Sequence, residues 1–208
     1  MKVQKDFLVS LFFIFFTLCS FSSVIYVSTN GSDSTGNGTI EKPYNTISFA
    51  LTQANVGDEI LLRGAPYLLN NKYFENIRIR IPSVTISSMD GEWAIIECPI
   101  NNEDIESCIM FDAESDIEGY KDSSGSKLKR VEVIGGYYYG IKFETRWEWG
   151  NPNDRGGASN ILIEDVVIHD TGNTGIKITP GCDDITIQCT EIYNKGRVRP
   201  DSAEAVDN

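Results

Sequence analysis

Apolar and polar residues alternate along much of this chain with the two-residue period of extended strands, and the strands are short. Ile77-Arg78-Ile79-Arg80-Ile81 alternates strictly, as does Val84-Thr85-Ile86-Ser87. Ile25-Tyr26-Val27, Glu59-Ile60-Leu61-Leu62-Arg63-Gly64, residues 127–134 and Gly140-Ile141-Lys142-Phe143 read as further strands. One stretch has the helical period: Ile47, Ala50, Leu51 and Ala54 follow Thr46, whose hydroxyl suits an N-cap, and Val56-Gly57-Asp58 ends the run. Residues 28–39, rich in Gly, Asn, Ser and Asp, predict a loop. The acidic and Ser-rich runs at 112–116 and 122–126 predict long loops leaving the strands between 98 and 125.

Late in the chain the pattern repeats. Asn160-Ile161-Leu162-Ile163-Glu164-Asp165-Val166-Val167-Ile168-His169-Asp170-Thr171-Gly172 is followed, 24 positions on, by Asp184-Ile185-Thr186-Ile187-Gln188-Cys189-Thr190-Glu191-Ile192-Tyr193-Asn194-Lys195-Gly196. Short β-branched runs recurring in the twenties and punctuated by Gly, Asn and Asp mark a β-solenoid, in which each coil buries its apolar side by stacking on the next. Ile161, Ile163, Ile168, Ile176, Ile178, Ile185, Ile187 and Ile192 are expected to face inward. The spacing between residues 131 and 161 is 30 rather than 24, an irregularity in the repeat. Parallel crossovers turn right-handed. The expected fold is therefore all-β, a right-handed parallel β-helix of about four coils with a short N-terminal capping helix.

The residues Tyr26-Val27-Ser28, Asn30-Gly31-Ser32-Asp33, Pro43-Tyr44, Thr46-Ile47, Ala50-Leu51, Gly57-Asp58-Glu59-Ile60, Gly64 and Tyr67 give this region a likeness of its own. It resembles the N-terminal cap of the secreted right-handed parallel β-helix proteins, the superfamily of pectate lyases and alginate lyases. The nearest flavour is that of family-nine pectate lyases and their relatives. The resemblance implies a helix plugging one end of the solenoid and polysaccharide as the commonest substrate class. It does not assign a reaction, because the scaffold also hosts binders and structural proteins.

Three regions are expected. Residues 1–22 read as an export signal: Lys2 and Lys5 precede an apolar run from 7 to 19 that is too short to span a bilayer, and Ser20-Phe21-Ser22 offers small residues to a signal peptidase. Residues 23–67 form the N-terminal strand, loop and cap helix, and 68–208 the coils. Ala203-Glu204-Ala205-Val206-Asp207-Asn208 looks like the start of another coil face with no closing cap after it. The expectation is a chain whose C-terminal coils are missing, prone to self-association through its open end.

Charge narrows the partners. Of 18 basic and 30 acidic residues, removal of Lys2, Lys5 and Asp6 with the signal leaves 16 and 29. Such an acidic chain lacks the basic footprint that nucleic acid requires, and no membrane association is expected once the signal is gone. Cys98, Cys108, Cys182 and Cys189 remain, and in an oxidising compartment they can pair in three ways; small buried side chains are the other reading. Zinc is not expected, with no Cys-x-x-Cys motif and His169 the sole histidine. His169, at a coil corner where the next repeat has Tyr193, suits a structural hydrogen bond.

Strand alternation sends Lys142, Glu144, Lys177 and Thr179 outward, and Asp207 falls in the column of the two lysines if the last segment continues the pattern. Polysaccharide lyases of the resembled fold use a Lys or Arg base with calcium held by Asp side chains. That likeness points to Lys177 as the base, with Lys142 beside it and Asp207 as a candidate calcium ligand. The clustered aspartates and catalytic lysine of family-nine lyases, however, are expected in coils beyond residue 208. Trp147, Trp149 and Arg155, in a segment that interrupts the repeat between 145 and 160, are the candidate substrate-binding residues; aromatic rings stack on sugars, and a guanidinium holds hydroxyls or carboxylates. The functional expectation is a secreted carbohydrate-active protein, a lyase of acidic polysaccharide such as pectate or alginate. The alternative is a non-catalytic glycan-binding or cell-surface structural solenoid.

Overall fold

The computed structural model describes residues 22–113, 121–145 and 156–197. The predicted cap helix is present as α1 (Ile47–Gln53). Thr46 is its N-cap, its hydroxyl accepting from the Phe49 N–H at 3.2 Å. Two carboxylates satisfy other donors at this end. Asp33 accepts from the backbone of Asn45 and Thr46, and Glu75 accepts from the N–H groups of Ile47 and Ser48. Ile47, Ala50 and Leu51 are buried, so the helix closes one end of the core. The edge of the first strand, β1 (Val24–Val27), is covered by the return of the loop that follows it: Tyr26 donates to Gly38 O and Tyr44 donates to Tyr26 O.

After the helix the chain winds through three parallel faces. The first turn is β2 (Glu59–Leu62), β3 (Lys72–Phe74) and β4 (Ile77–Ile79); the second is β5 (Thr85–Ser88), β6 (Ala94–Cys98) and β7 (Ser107–Phe111). In the third, β8 (Lys127–Gly135) covers two faces and β9 (Tyr139–Phe143) the last; β10 (Ile161–His169) and β11 (Thr174–Ile178) repeat this. β12 (Ile185–Gln188) and β13 (Glu191–Tyr193) begin a fifth turn. Every strand pair is parallel. The architecture is the parallel β-helix, with four complete turns and the start of a fifth among the described residues, in line with the expected number.

Stacking overrides the length of each coil. Ile25, Ile60, Ile86, Leu128, Ile163 and Ile187 lie in one register column although 35, 26, 42, 35 and 24 residues separate them. The irregular spacing of 30 is thereby corrected: Val131 lies opposite Val166, 35 residues on. Thr145 and Gly157, on either side of the extra length in sequence, are joined by an isolated antiparallel bridge.

Corners stack as well. Ser83, Gly125, Asn160 and Asp184 all have φ between 52° and 79°, at matched positions before β5, β8, β10 and β12. Arg130, Asp165 and Cys189 (φ 51°, 55° and 50°) form a second such row, bending one strand from the first face to the second. A single left-handed residue turns the chain without interrupting pairing, and Asn and Asp tolerate that conformation better than most.

The inner columns are apolar and closed: Ile161, Ile163 and Ile168 are buried, with Phe111 and Phe143 stacked 5.0 Å apart. Ile176 and Ile185 are half-buried. Ile178, Ile187 and Ile192 remain 44%, 41% and 43% exposed, since they belong to the outermost described layer. Ile192 still points inward, its Cγ2 lying against the place a Gly175 side chain would take.

One loop expectation changes. β7 lies inside the stretch read as loops from 98 to 125, and all five of its residues are buried, so Ser107-Cys108-Ile109-Met110-Phe111 lacks an alternating pattern. β3 and β6 also went unpredicted. The described cysteines are free thiols; Cys98 and Cys108 are small buried side chains, as one of the two expectations had it. Most of the export segment, residues 114–120, Trp147, Trp149, Arg155 and Asp207 lie outside the described residues. Among those described, no helix is long and apolar enough to cross a membrane.

Candidate functional site

The third face, ordered β4-β7-β9-β11, carries the two predicted lysines. Two inward columns fix its orientation: Ile77–Ile109–Ile141–Ile176 and Ile79–Phe111–Phe143–Ile178. Between them, alternation turns Arg78, Met110, Lys142 and Lys177 outward in one column. Lys142 and Lys177, whose relative placement the irregular spacing had left open, are direct neighbours. Beyond the second inward column, Arg80, Asp112, Glu144 and Thr179 form the next row at the rim.

The two lysines have different surroundings. Lys142 Nζ is 2.8 Å from Glu106 Oε1 and 2.8 Å from Glu144 Oε2, with only 11% of its side chain exposed. Burial works against its ammonium, but the hydrogen bonds to both carboxylates outweigh that and hold its pKa above the usual lysine value. Glu144 is itself buried and accepts from the Thr145 N–H at 3.1 Å. Lys177 is exposed, and its amine has no ion pair or hydrogen bond among the described residues. Thr179 is buried rather than displayed, donating to Phe143 O at 2.7 Å.

Further along the same face, Asp112 is fully buried between Arg78 (3.0 Å) and Arg80 (2.6 Å). The Ser123 hydroxyl donates to the Asp112 backbone carbonyl at 2.6 Å. At the corner leading into β9, Tyr137 and Tyr138 meet edge to face at 4.6 Å, and burial followed by the charge of Glu106 raises the Tyr139 phenol. Sequence reasoning missed Arg78, Glu106 and Asp112 as members of this face. The alternation of Ile77-Arg78-Ile79-Arg80-Ile81 contained the signal for the arginines; Asp112 was hidden by the unrecognised β7.

Among the described residues no three His, Cys, Asp or Glu side chains group as a metal site. The carboxylates nearest the lysine column, Glu106 and Glu144, are already engaged by Lys142. The described residues therefore do not fit a calcium site.

No family model matches the chain, and no curated protein matches it in sequence. Among solved structures it is similar to pectate lyase Pel9A, with a TM-score of 0.60 at 18% identity, over 84% of this chain and 41% of that one. Weaker likenesses join it to the GH136 lacto-N-biosidase from Eubacterium ramulus, in native and selenomethionine forms. Their TM-scores are 0.48 and 0.47 at 13% and 14% identity, over 83% of this chain and 34% of those. The likeness to Pel9A is one of fold: this chain is a pectate-lyase-like parallel β-helix. It spans 41% of that protein's length.

Proposed function

We propose that this chain belongs to a secreted carbohydrate-active protein, a lyase of acidic polysaccharide, whose working surface is the third face of the coil stack. The observation that carries the reading is the pairing of Lys142 and Lys177: two amines one strand apart, about 4.8 Å, one fixed between carboxylates and the other unengaged among the described residues. The fold shared with a pectate lyase supports the substrate class, and the predicted export signal at 1–22 supports secretion.

Elimination from a uronate unit requires a base to take the proton on the carbon beside the carboxylate. The electron pair of that C–H bond becomes a carbon–carbon double bond, and the glycosidic oxygen leaves, taking a proton from solvent. Lys177 is the base in this scheme. Lys142 does not fill that part, because Glu106 and Glu144 keep it protonated; it contributes a fixed charge to the surface beneath the substrate. The segment carrying Trp147, Trp149 and Arg155 follows β9 closely in sequence, and we assign it to holding the sugar chain. Asp207 stays the candidate calcium ligand.

The test is release of unsaturated uronate from polygalacturonate and from alginate by the full chain, with calcium added and with chelator, alongside affinity electrophoresis on both polymers. The expected result is a chromophore on one polymer that is lost in Lys177→Ala. Retardation without chromophore at any calcium level favours the non-catalytic glycan-binding solenoid. Neither signal overturns the carbohydrate reading on these polymers.

A further inference from the structure

The second face, built from β3, β6, β8, β10 and β13, carries a polar arrangement that the proposed activity does not use. His169 ends β10, and its ring is flanked on both sides. Nε2 lies 3.0 Å from Glu132 Oε1 on β8, and Nδ1 lies 2.7 Å from Asp170 Oδ2 at the corner. Tyr193 of β13 lies flat on the imidazole, with ring centroids 4.7 Å apart and planes 4° from parallel. The outer oxygens are engaged too: the Trp93 indole N–H donates to Glu132 Oε2 at 3.2 Å, and the Asn194 amide donates to Asp170 Oδ1 at 3.1 Å. Arg197, beyond β13, approaches the same Asp170 oxygen at 3.5 Å, and its backbone N–H donates to Thr171 O.

We propose that Glu132, His169, Asp170 and Tyr193 form a proton-operated clasp that fastens the β13 coil to the two coils before it, closed while the imidazole carries both protons and loosened when one is lost. The reason is valence. A carboxylate only accepts, so two carboxylates can both be satisfied only by an imidazolium donating from both nitrogens. Once neutral, His169 turns a lone pair toward one of them in either tautomer. That hydrogen bond becomes a repulsion, and the attraction between the cation and the Tyr193 ring disappears. Among the described residues β13 otherwise rests on its three-residue pairing with β10 and on the neighbouring contacts of Asn194 and Arg197: its own three residues are all exposed, Ile192 at 43%. Weakly buried segments open first.

The charged surroundings act in the same direction. Burial disfavours the imidazolium, but hydrogen bonds to Glu132 and Asp170 prevail and hold His169 above the usual histidine value of 6.5; the bond from His169 holds Asp170 below the usual carboxylate range. Glu191 on β13 adds negative charge near Tyr193. Arg197 is the one cation recorded at the cluster among the described residues. Glu97, two coils down the same column, is paired with Lys72. Since the folded pKa is raised, the clasp contributes fully below pH 6.5 and is lost as pH climbs through the folded midpoint.

His169 is the only histidine in the chain, so its ring nitrogens give an unambiguous signal in an imidazole proton–nitrogen correlation spectrum of the full chain. The expected result is an imidazolium with both nitrogens protonated at pH 6.5 and a midpoint above it, moved down by Glu132→Gln and by Asp170→Asn. Amide exchange of Ile192 and Tyr193, corrected for intrinsic rates, should accelerate relative to β8 as pH passes that midpoint. The acceleration is bounded at about tenfold for each pH unit separating the midpoint from 6.5. In His169→Gln the exchange should be fast and flat with pH. A midpoint at or below 6.5, or β13 exchange that follows the same profile in wild type and His169→Gln, overturns the proposal. Should Asp170→Asn displace the corner outright, Glu132→Gln and the wild-type midpoint still decide.

Discussion

Lys177 stands directly beside Lys142 on the neighbouring strand of the third face, yet only Lys142 is locked between carboxylates, at 2.8 Å from both Glu106 and Glu144. Register makes the two side chains equivalent; their partners make them different. Glu106 precedes β7 and Glu144 follows β9, so both carboxylates reach Lys142 from the rims of the face. No described counterpart reaches the next strand.

That difference predicts a division in activity. If the chain cleaves uronan, Lys177→Ala should lower kcat/KM by about 10²–10⁴-fold, the usual contribution of a positioned base. Lys177→Arg should restore part of it. The chromophore assay on both variants checks this, and an unchanged Lys177→Ala removes the residue from the chemistry.

Stability should show the reverse order. Lys142→Met leaves the Glu144 carboxylate buried beside an apolar group and should cost on the order of 3 kcal/mol. Lys177→Met should fall within about 0.5 kcal/mol of wild type. Asp112→Asn, which removes the buried charge facing Arg78 and Arg80, should resemble Lys142→Met. Denaturant unfolding of the three variants provides the comparison.

Gly140 and Gly175 are register neighbours that should respond unequally to the same substitution. A Cβ at Gly140 would lie 2.6 Å from Ile168 Cγ2, and Ile168 is wholly buried. At Gly175 it would meet Ile192, which is 43% exposed and free to yield. Gly140→Ala should lose about 1–3 kcal/mol by overpacking, and Gly175→Ala less. Equal losses would mean that the outer layer is as rigid as the inner one.

The left-handed corners make a conformational prediction. Asp165, exposed at φ 55°, should accept Gly or Asn with little change, whereas Asp165→Val should lose about 1–2 kcal/mol. Thermal unfolding of the three variants separates backbone strain from lost contacts, since Asp165 has no side-chain bond among those described.

Thiol chemistry distinguishes the cysteine readings. In the folded chain Cys189 should react with a thiol reagent first, being exposed. Burial raises the Cys108 and Cys182 thiols, and Cys98 and Cys108 should react only on unfolding. Counting thiols in denaturant before and after reduction then reports whether any of the three possible pairings forms when the chain is produced in an oxidising compartment.

Much of the fold was legible because apolar period and turn chemistry are local. Thr46 with Ile47, Ala50 and Leu51 specifies the cap helix, and the duplicated run at 160–196 specifies the pairing of Ile161 with Ile185 and Ile168 with Ile192. The outward positions of Lys142 and Lys177 follow from the same alternation. Where alternation fails, as in Ser107-Cys108-Ile109-Met110-Phe111, the strand was invisible, because its outer side is covered as well as its inner one.

The sequence by itself determined the class of fold, the faces of its clearest strands and the identity of the two lysines. The tertiary structure decided which coil lies on which, and so which charges meet. A loop of almost any length can leave a corner and return, since closure entropy grows only slowly with length. Coils of 42, 35 and 24 residues therefore stack in one register, and sequence distance carries no information about contact. Glu106 reaches Lys142 across 36 residues and Glu132 reaches His169 across 37, distances that only the stacked coils bring within a hydrogen bond.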